Sequence, residues 1–347
     1  MVANWRLCGR LHGGESSVGA VLKAAAYGLG AGRVAPALHA AGCRVFFTAH
    51  LAEALAIRAL VPGALVAVLN GLMAGEEAAF LEGDVCPVLG SLAEIDRWSA
   101  LARGVGRALT ALLHVDTGMN RLGLDAAELA VLQGDPGRLA GSSVLYVMTH
   151  LVAAEAAGDP ANAAQLARFA AACRGLPAMR RSLANSSGIF LGAGFRSDLA
   201  RPGAALYGIN PTPGADNPMA GTVRLTAPVL ALREVGRGDT VGYNGAWRAG
   251  RASRIATVGV GYGDGWLRSL SNAGAAYFDG AAVPLVGRVS MDLTTYDVTD
   301  VPAIAVGSRL ELIGPHCPAD AVAAAGGTNG YEILTSLGRR YGRVYRG

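Results

Sequence analysis

Val18-Gly19-Ala20-Val21-Leu22-Lys23-Ala24-Ala25-Ala26-Tyr27-Gly28-Leu29-Gly30 is the stretch from which the rest of the chain can be read. Its first five residues form an apolar run without helical period, as a buried strand requires. The small residues, tyrosine and glycines that follow end it in a loop, ahead of a long alanine-rich helical segment. Lys23 stands at the junction. A lysine where a buried strand opens is costly unless it is paired or used covalently. Desolvation there lowers the amine's pKa and makes it a nucleophile toward carbonyls. By itself a lysine at a strand end is ordinary; its surroundings give it weight.

The same alternation of apolar run and alanine-rich helix continues outward. The runs are Val18–Lys23, Cys43–Thr48, Leu65–Leu69, Val85–Leu89, Leu109–Val115, Ser143–Thr149, Arg181–Ala184 and a short one at Ala204–Tyr207. About eight βα units in about 200 residues predict a (β/α)8 TIM-type barrel of α/β class rather than an open sheet. Lys23, His50, Asn70, Asp116, His150 and Asn185 each follow a run. In such barrels the carboxyl ends of the strands form the active-site face. Beyond Pro211-Thr212-Pro213-Gly214 the pattern shifts to short strands with Gly/Asp turns. These are Val223–Glu234, Thr240–Tyr243, Ser253–Val260, Ala275–Phe278, Val283–Asp292 and Arg309–Ile313, so an all-β domain is expected at 216–347 after a barrel at 1–215. The segment Val2–Arg6 reads as helix, with no strand ahead of it.

Composition excludes several classes. The 347 residues are 52% hydrophobic but only 6% aromatic, and the net charge of +4 is spread over arginines lying among acids. That is a solvated surface, not a nucleic-acid footprint. Cys8, Cys43, Cys86, Cys173 and Cys317 are odd in number, widely spaced and outside any CxxC or Cys/His cluster, which indicates neither a zinc site nor a disulfide framework. With no signal peptide and no apolar run of ~18 residues, a soluble cytoplasmic protein without a membrane partner is expected.

Several motifs join the Lys23 stretch. They are His114-Val115-Asp116-Thr117-Gly118-Met119-Asn120-Arg121-Leu122-Gly123, Ala184-Asn185-Ser186-Ser187-Gly188, Arg201-Pro202-Gly203-Ala204-Ala205-Leu206-Tyr207-Gly208, Val260-Gly261-Tyr262-Gly263-Asp264-Gly265 and Val286-Gly287-Arg288-Val289-Ser290-Met291-Asp292. Taken singly, Arg121 and Arg288 suit surface ion pairs, His150 a satisfied core histidine, Tyr262 a turn aromatic and Asp292 a partner for Arg288. Trp247 and Trp266 suit packing, and His12, His39 and His316 lie in no motif. Together and in this order the motifs resemble the alanine racemase family, pyridoxal-phosphate (PLP) enzymes built as a barrel plus a β domain.

That resemblance implies a homodimer interconverting L- and D-alanine for peptidoglycan, with active sites shared between subunits. Lys23 would hold the cofactor covalently and act as one base. Tyr262 from the partner subunit would act as the other, so that a proton leaves one face of Cα and returns to the opposite face. Arg201 would face the pyridine nitrogen, where a donor-only group cannot protonate the ring. Ser186, the backbone of Gly203 and Ala204, and Tyr27 would bind the phosphate. His150 would pack against the cofactor ring with Asn185 adjoining, and Arg121, Met291 and Asp292 would serve the substrate carboxylate. The rival readings are a broader racemase acting on serine, lysine or arginine, a PLP decarboxylase, and a non-catalytic PLP-binding protein. Pocket width, which the sequence does not give, decides the first; Arg201 stands against the second and the β domain against the third. The sequence also departs from the family. His114 occupies the place of a carbamylated lysine that orients the residue equivalent to Arg121, and Arg339 that of a phosphate-touching tyrosine. The family's opening strand has no counterpart ahead of the first helix, which leads one to expect an exposed sheet edge in the β domain.

Overall fold

The computed structural model describes residues 1–14 and 17–346. The chain divides into two compact units, Met1–Ala26 with Gly30–Ala220 and Tyr27–Leu29 with Gly221–Gly347.

The first unit is a parallel sheet wrapped by helices. Its strands are β1 (Ala20–Val21), β2 (Val45–Thr48), β3 (Leu65–Val68), β4 (Cys86–Leu89), β5 (Leu109–His114), β6 (Ser142–Met148) and β7 (Arg180–Ser182), hydrogen-bonded in chain order. Between and around them run α1 (Val2–His12), the helical turn α2 (Lys23–Tyr27), α3 (Ala31–Ala40), α4 (Leu51–Arg58), α5 (Glu77–Glu82), α6 (Leu92–Val105), α7 (Ala126–Gly134) and α8 (Pro160–Arg174). Local signals place the helix ends. Ser91 accepts from the Glu94 N–H at the start of α6, and left-handed Gly106 stops it. Asp159 caps α8, where Pro160 needs no amide partner. Phe46, Phe47, Val66, Val88, Leu112 and Leu113 fill the core, as expected of strands covered on both faces.

Ala204–Tyr207, expected as the eighth strand, is a 3-10 turn. An apolar run of four residues carries too little pattern to separate the two forms. The eighth position is filled by the residues just before it. Ala200 pairs in parallel with Val18, the Gly19 N–H donates to Ala200 O (2.9 Å), and the Val21 N–H donates to Pro202 O (3.0 Å). The curled sheet is thus closed by isolated bonds rather than by a strand.

The second unit is an antiparallel sheet in the order β13-β12-β15-β8-β11-β14, with β9 and β10 as a separate ribbon. Its strands are β8 (Leu225–Val235), β9 (Thr240–Val241), β10 (Trp247–Arg248), β11 (Ser253–Val258), β12 (Ala275–Phe278), β13 (Ala281–Pro284), β14 (Thr294–Asp297) and β15 (Arg309–Ile313), followed by helices α9 (Ala319–Gly326) and α10 (Gly330–Ser336). The expected strand Val283–Asp292 breaks after Pro284, and left-handed Gly287 (φ 82°) lies within the remainder. The predicted exposed edge is corrected too. Leu285 bridges Tyr296, and the Val286 N–H reaches Thr295 O at 2.9 Å, so the sheet's two ends meet. Trp266 is buried, and Trp247 packs on Val241, Ile255 and Val286.

Candidate active site

Because the first sheet is parallel, its strand ends bring Lys23, His114, Arg121, His150, Asn185 and Arg201 to one rim. After Lys23 the backbone does something its alanines do not announce. Ala24, Ala25, Ala26 and Tyr27 all lie in the left-handed region, at φ 52°, 54°, 58° and 53°. Each non-glycine residue there costs about 1–2 kcal/mol. The turn is held by the Ala26 N–H to Leu22 O (2.7 Å) and the Gly30 N–H to Ala25 O (2.7 Å). The Lys23 ammonium is held below its usual range by desolvation and then by the charge of Arg121, partly offset by Glu53. Tyr27 is buried edge-on to Tyr331, with ring centroids 6.3 Å apart, and burial pushes its hydroxyl pKa up.

Arg201, only 4% exposed, is the buried cation of this rim. Its Nη1 donates to Ser182 Oγ (2.6 Å) and its Nη2 to Thr149 O (2.5 Å). Among the described residues no acid pairs with it, and burial brings its pKa down to about 10. Two histidines feel it. His114 is lowered to about 4 by desolvation and then by Arg201, and His150 to about 3 by desolvation, then Arg201 and Arg121. Both imidazoles are therefore neutral at pH 7. Arg121 is exposed on a loop pinned by Asp116, whose carboxylate accepts the N–H groups of Gly118 (2.8 Å), Met119 (2.8 Å) and Asn120 (2.9 Å). Gly123 returns this loop against His114, leaving a Cβ no room.

Ser186 Oγ, buried, accepts from the N–H groups of Gly203 (3.0 Å) and Ala205 (3.2 Å). The Gly203 amide expected to face a phosphate is thus already donated to Ser186. The Asn185 Oδ1 accepts from the Gly188 N–H at 2.8 Å, fixing the turn that carries Ser186.

In the second unit Tyr262 is 44% exposed and Met291 55%. Their loops are laced together by the Tyr262 N–H to Ser290 O (3.0 Å) and the Gly263 N–H to Met291 O (2.8 Å). Asp292 pairs not with Arg288 but with Arg340, at 2.8 Å, and Arg340 also reaches Asp264 at 3.2 Å. Asp264 in turn accepts the Gly261 N–H (2.9 Å). Arg339 is exposed. His12 contacts Ser17 and the Ser197 N–H, His39 contacts Pro62 O, and His316 contacts Glu311. Sequence reasoning misses Ser182, Thr149 and Arg340, whose partners Arg201, Asp264 and Asp292 lie elsewhere in the chain, and the ion pair that joins Asp264 to Arg340, which no local spacing marks. No group of three or more His, Cys, Asp or Glu among the described residues can hold a metal.

A parallel barrel with a depressed amine, neutral imidazoles and a guanidinium that no described acid pairs with, all at its strand ends, has the layout of a barrel-class enzyme with a cationic rim. Comparison with known proteins narrows this. Residues 1–211 match the family model of the alanine racemase N-terminal domain, and residues 222–345 that of the alanine racemase C-terminal domain. The alanine racemase of Acidiphilium cryptum is 58% identical over 346 residues, covering 100% of this chain and 96% of that protein. The solved alanine racemase of Bartonella henselae, with covalently bound pyridoxal phosphate, superposes with a TM-score of 0.96 at 41% identity, over 99% of this chain and 96% of that one. The biosynthetic alanine racemase of Pseudomonas aeruginosa gives 0.93 at 34% identity, over 99% and 96%. The chain belongs to the alanine racemase family, whose members are isomerases.

Proposed function

We propose that this chain is a PLP-dependent alanine racemase, a cytoplasmic homodimer supplying D-alanine for peptidoglycan and acting on a small-molecule substrate, without nucleic-acid or membrane partners. The observation that carries the reading is Arg201: buried, with no acid paired to it among the described residues, its two arms fixed by Ser182 and Thr149. The residues fit the cofactor. The rim is cationic and its histidines neutral, which suits a phosphate-bearing ring and a substrate carboxylate. PLP supplies electron withdrawal from the substrate's Cα. Arg201 would face the ring nitrogen as a donor that cannot protonate it, which would moderate that withdrawal and favour return of the proton to Cα. That favours racemisation over transamination, and decarboxylases of this architecture place an acid where this chain has Arg201.

Lys23 anchors the cofactor and serves as one base; its lowered pKa makes the neutral amine accessible. Tyr262 of a second copy serves as the other. Ser186, with the Gly203 amide hydrogen-bonded to it, Ala204 and Tyr27 would hold the phosphate, His150 and Asn185 would border the ring, and Arg121, Met291 and Asp292 would orient the carboxylate. The functional division is a barrel at 1–215 and a β domain at 216–347.

The test is Cα deuterium exchange of L-alanine in D2O by proton NMR, with chiral analysis of the same sample. D-alanine should appear, vanish in Lys23→Ala and fall sharply in Tyr262→Phe. A PLP absorbance band without exchange would mean a binding protein without turnover. Mixing the two inactive variants in equal amounts and letting subunits exchange should restore about a quarter of the activity, since half the dimers are mixed and each has one intact site. No restoration would sink the shared-site dimer. The same assay with serine, lysine and arginine separates a narrow from a broad racemase.

A further inference from the structure

Gln165 belongs to none of the motifs. It sits in the first turns of α8, is 0% exposed, and spends its whole amide on the strand-end rim. Its Nε2 donates to His150 O (2.9 Å) and to Thr117 Oγ1 (3.2 Å), and its Oε1 accepts the Val152 N–H (2.8 Å). Thr117 Oγ1 also shares a 2.7 Å hydrogen bond with Thr149 Oγ1. The carbonyl of Thr149 accepts Arg201 Nη2, and the next carbonyl, that of His150, accepts Gln165. One buried side chain therefore ties together the loop after β5, which leads to Arg121, and the segment 149–152, which carries His150 and docks Arg201.

We propose that Gln165 is a positioning residue for the cofactor site, fixing His150 directly through its backbone and Arg201 through the 149–152 segment. This rests on the PLP reading above. Segment 149–152 has left its strand; Arg201 holds Thr149 O and Asn185 holds Leu151 O, while the His150 carbonyl and the Val152 N–H between and beyond them are held by Gln165. A buried amide with three partners in two loops sets these groups rigidly. No other side-chain type of this length donates twice and accepts once from a neutral head. The nearby Asn162, on the same helix, is a built-in comparison. It is also buried, yet its Nδ2 serves Ala153 O and Ala156 O, beyond the rim.

The experiment measures PLP affinity of the apoenzyme by the cofactor's absorbance band, together with kcat, KM and the thermal midpoint, for Gln165→Met, Gln165→Glu and Asn162→Leu. All three should lower the midpoint. Only the Gln165 variants should weaken PLP binding, by about tenfold, shift the absorbance maximum and lower kcat more than they raise KM. Gln165→Glu keeps the shape but sets a carboxylate oxygen against His150 O, so it should be no better than Gln165→Met. If Gln165→Met does not fold, Thr117→Val carries the same expectation with a smaller loss. Unchanged PLP affinity and spectrum in the Gln165 variants, or equal changes in Asn162→Leu, would overturn the proposal. Wild-type protein that takes up no PLP would instead defeat the functional reading, before any variant is made.

Discussion

Lys23 is followed by four consecutive left-handed residues, none of them glycine, while Tyr262 is set among Gly261, Gly263 and Gly265, each pressed against another chain segment. At the first turn the backbone bears an unfavourable conformation although there is side-chain room: Ala24 and Ala25 are exposed. At the second the space is missing. A Cβ on Gly261 would strike Ser290 O, and one on Gly265 would strike Ser336 O. One proposed base is thus presented by conformational strain, the other by close approach. Strain can be relieved by mutation; an occupied space cannot be entered.

Gly265→Ala should break the second turn most severely. It combines φ +86° with a clash against backbone that cannot swing away, so a loss of about 3 kcal/mol or more is expected in urea unfolding. Near-normal stability would show that the α10 end yields. Next comes the charge environment that accompanies only the first turn. His114 takes a proton near pH 4 when folded and near 6.5 when unfolded, so acid favours the unfolded chain. Stability should be level above pH 6.5 and decline between 6.5 and 4, by up to roughly 3 kcal/mol from this residue. His114→Asn should shrink that decline without abolishing it, because His150 shifts the same way. An acid limb equally steep in the variant would remove His114 from the account. The smallest effect is expected from Ala25→Gly. Relief of the left-handed penalty, less the added chain entropy, should leave the protein more stable by about 0.5 kcal/mol. A destabilised variant would mean that the alanines are not strained.

Legibility in the sequence followed the range of the forces involved. Lys23, Asp116, His150 and Asn185 are visible because each ends an apolar run, and Tyr262 because its glycines adjoin it. The eighth barrel position was misplaced, since Ala200 pairs through a single bridge and leaves no run to find, whereas Ala204–Tyr207 is apolar yet turns. The left-handed turn was invisible for the opposite reason: alanine is the residue least expected to announce it. Gln165, Ser182 and Arg340 act through partners such as His150, Arg201 and Asp264, far away in the chain, and no period or spacing encodes that. The sheet closure at Leu285–Tyr296 likewise depends on two segments meeting, and reading them singly suggested an open edge.

The bonds from Gly19 to Ala200 and from Val21 to Pro202 join parts of the chain about 180 residues apart. They lie immediately before Lys23 and around Arg201. During synthesis the lysine is made early, while its opposite wall does not exist until nearly the whole barrel has been made. Contacts of such sequence separation form late, because loop closure must come first. The site is therefore a record of folding history: an incomplete barrel has a nucleophile but no pocket, and only a chain that has joined its ends presents both.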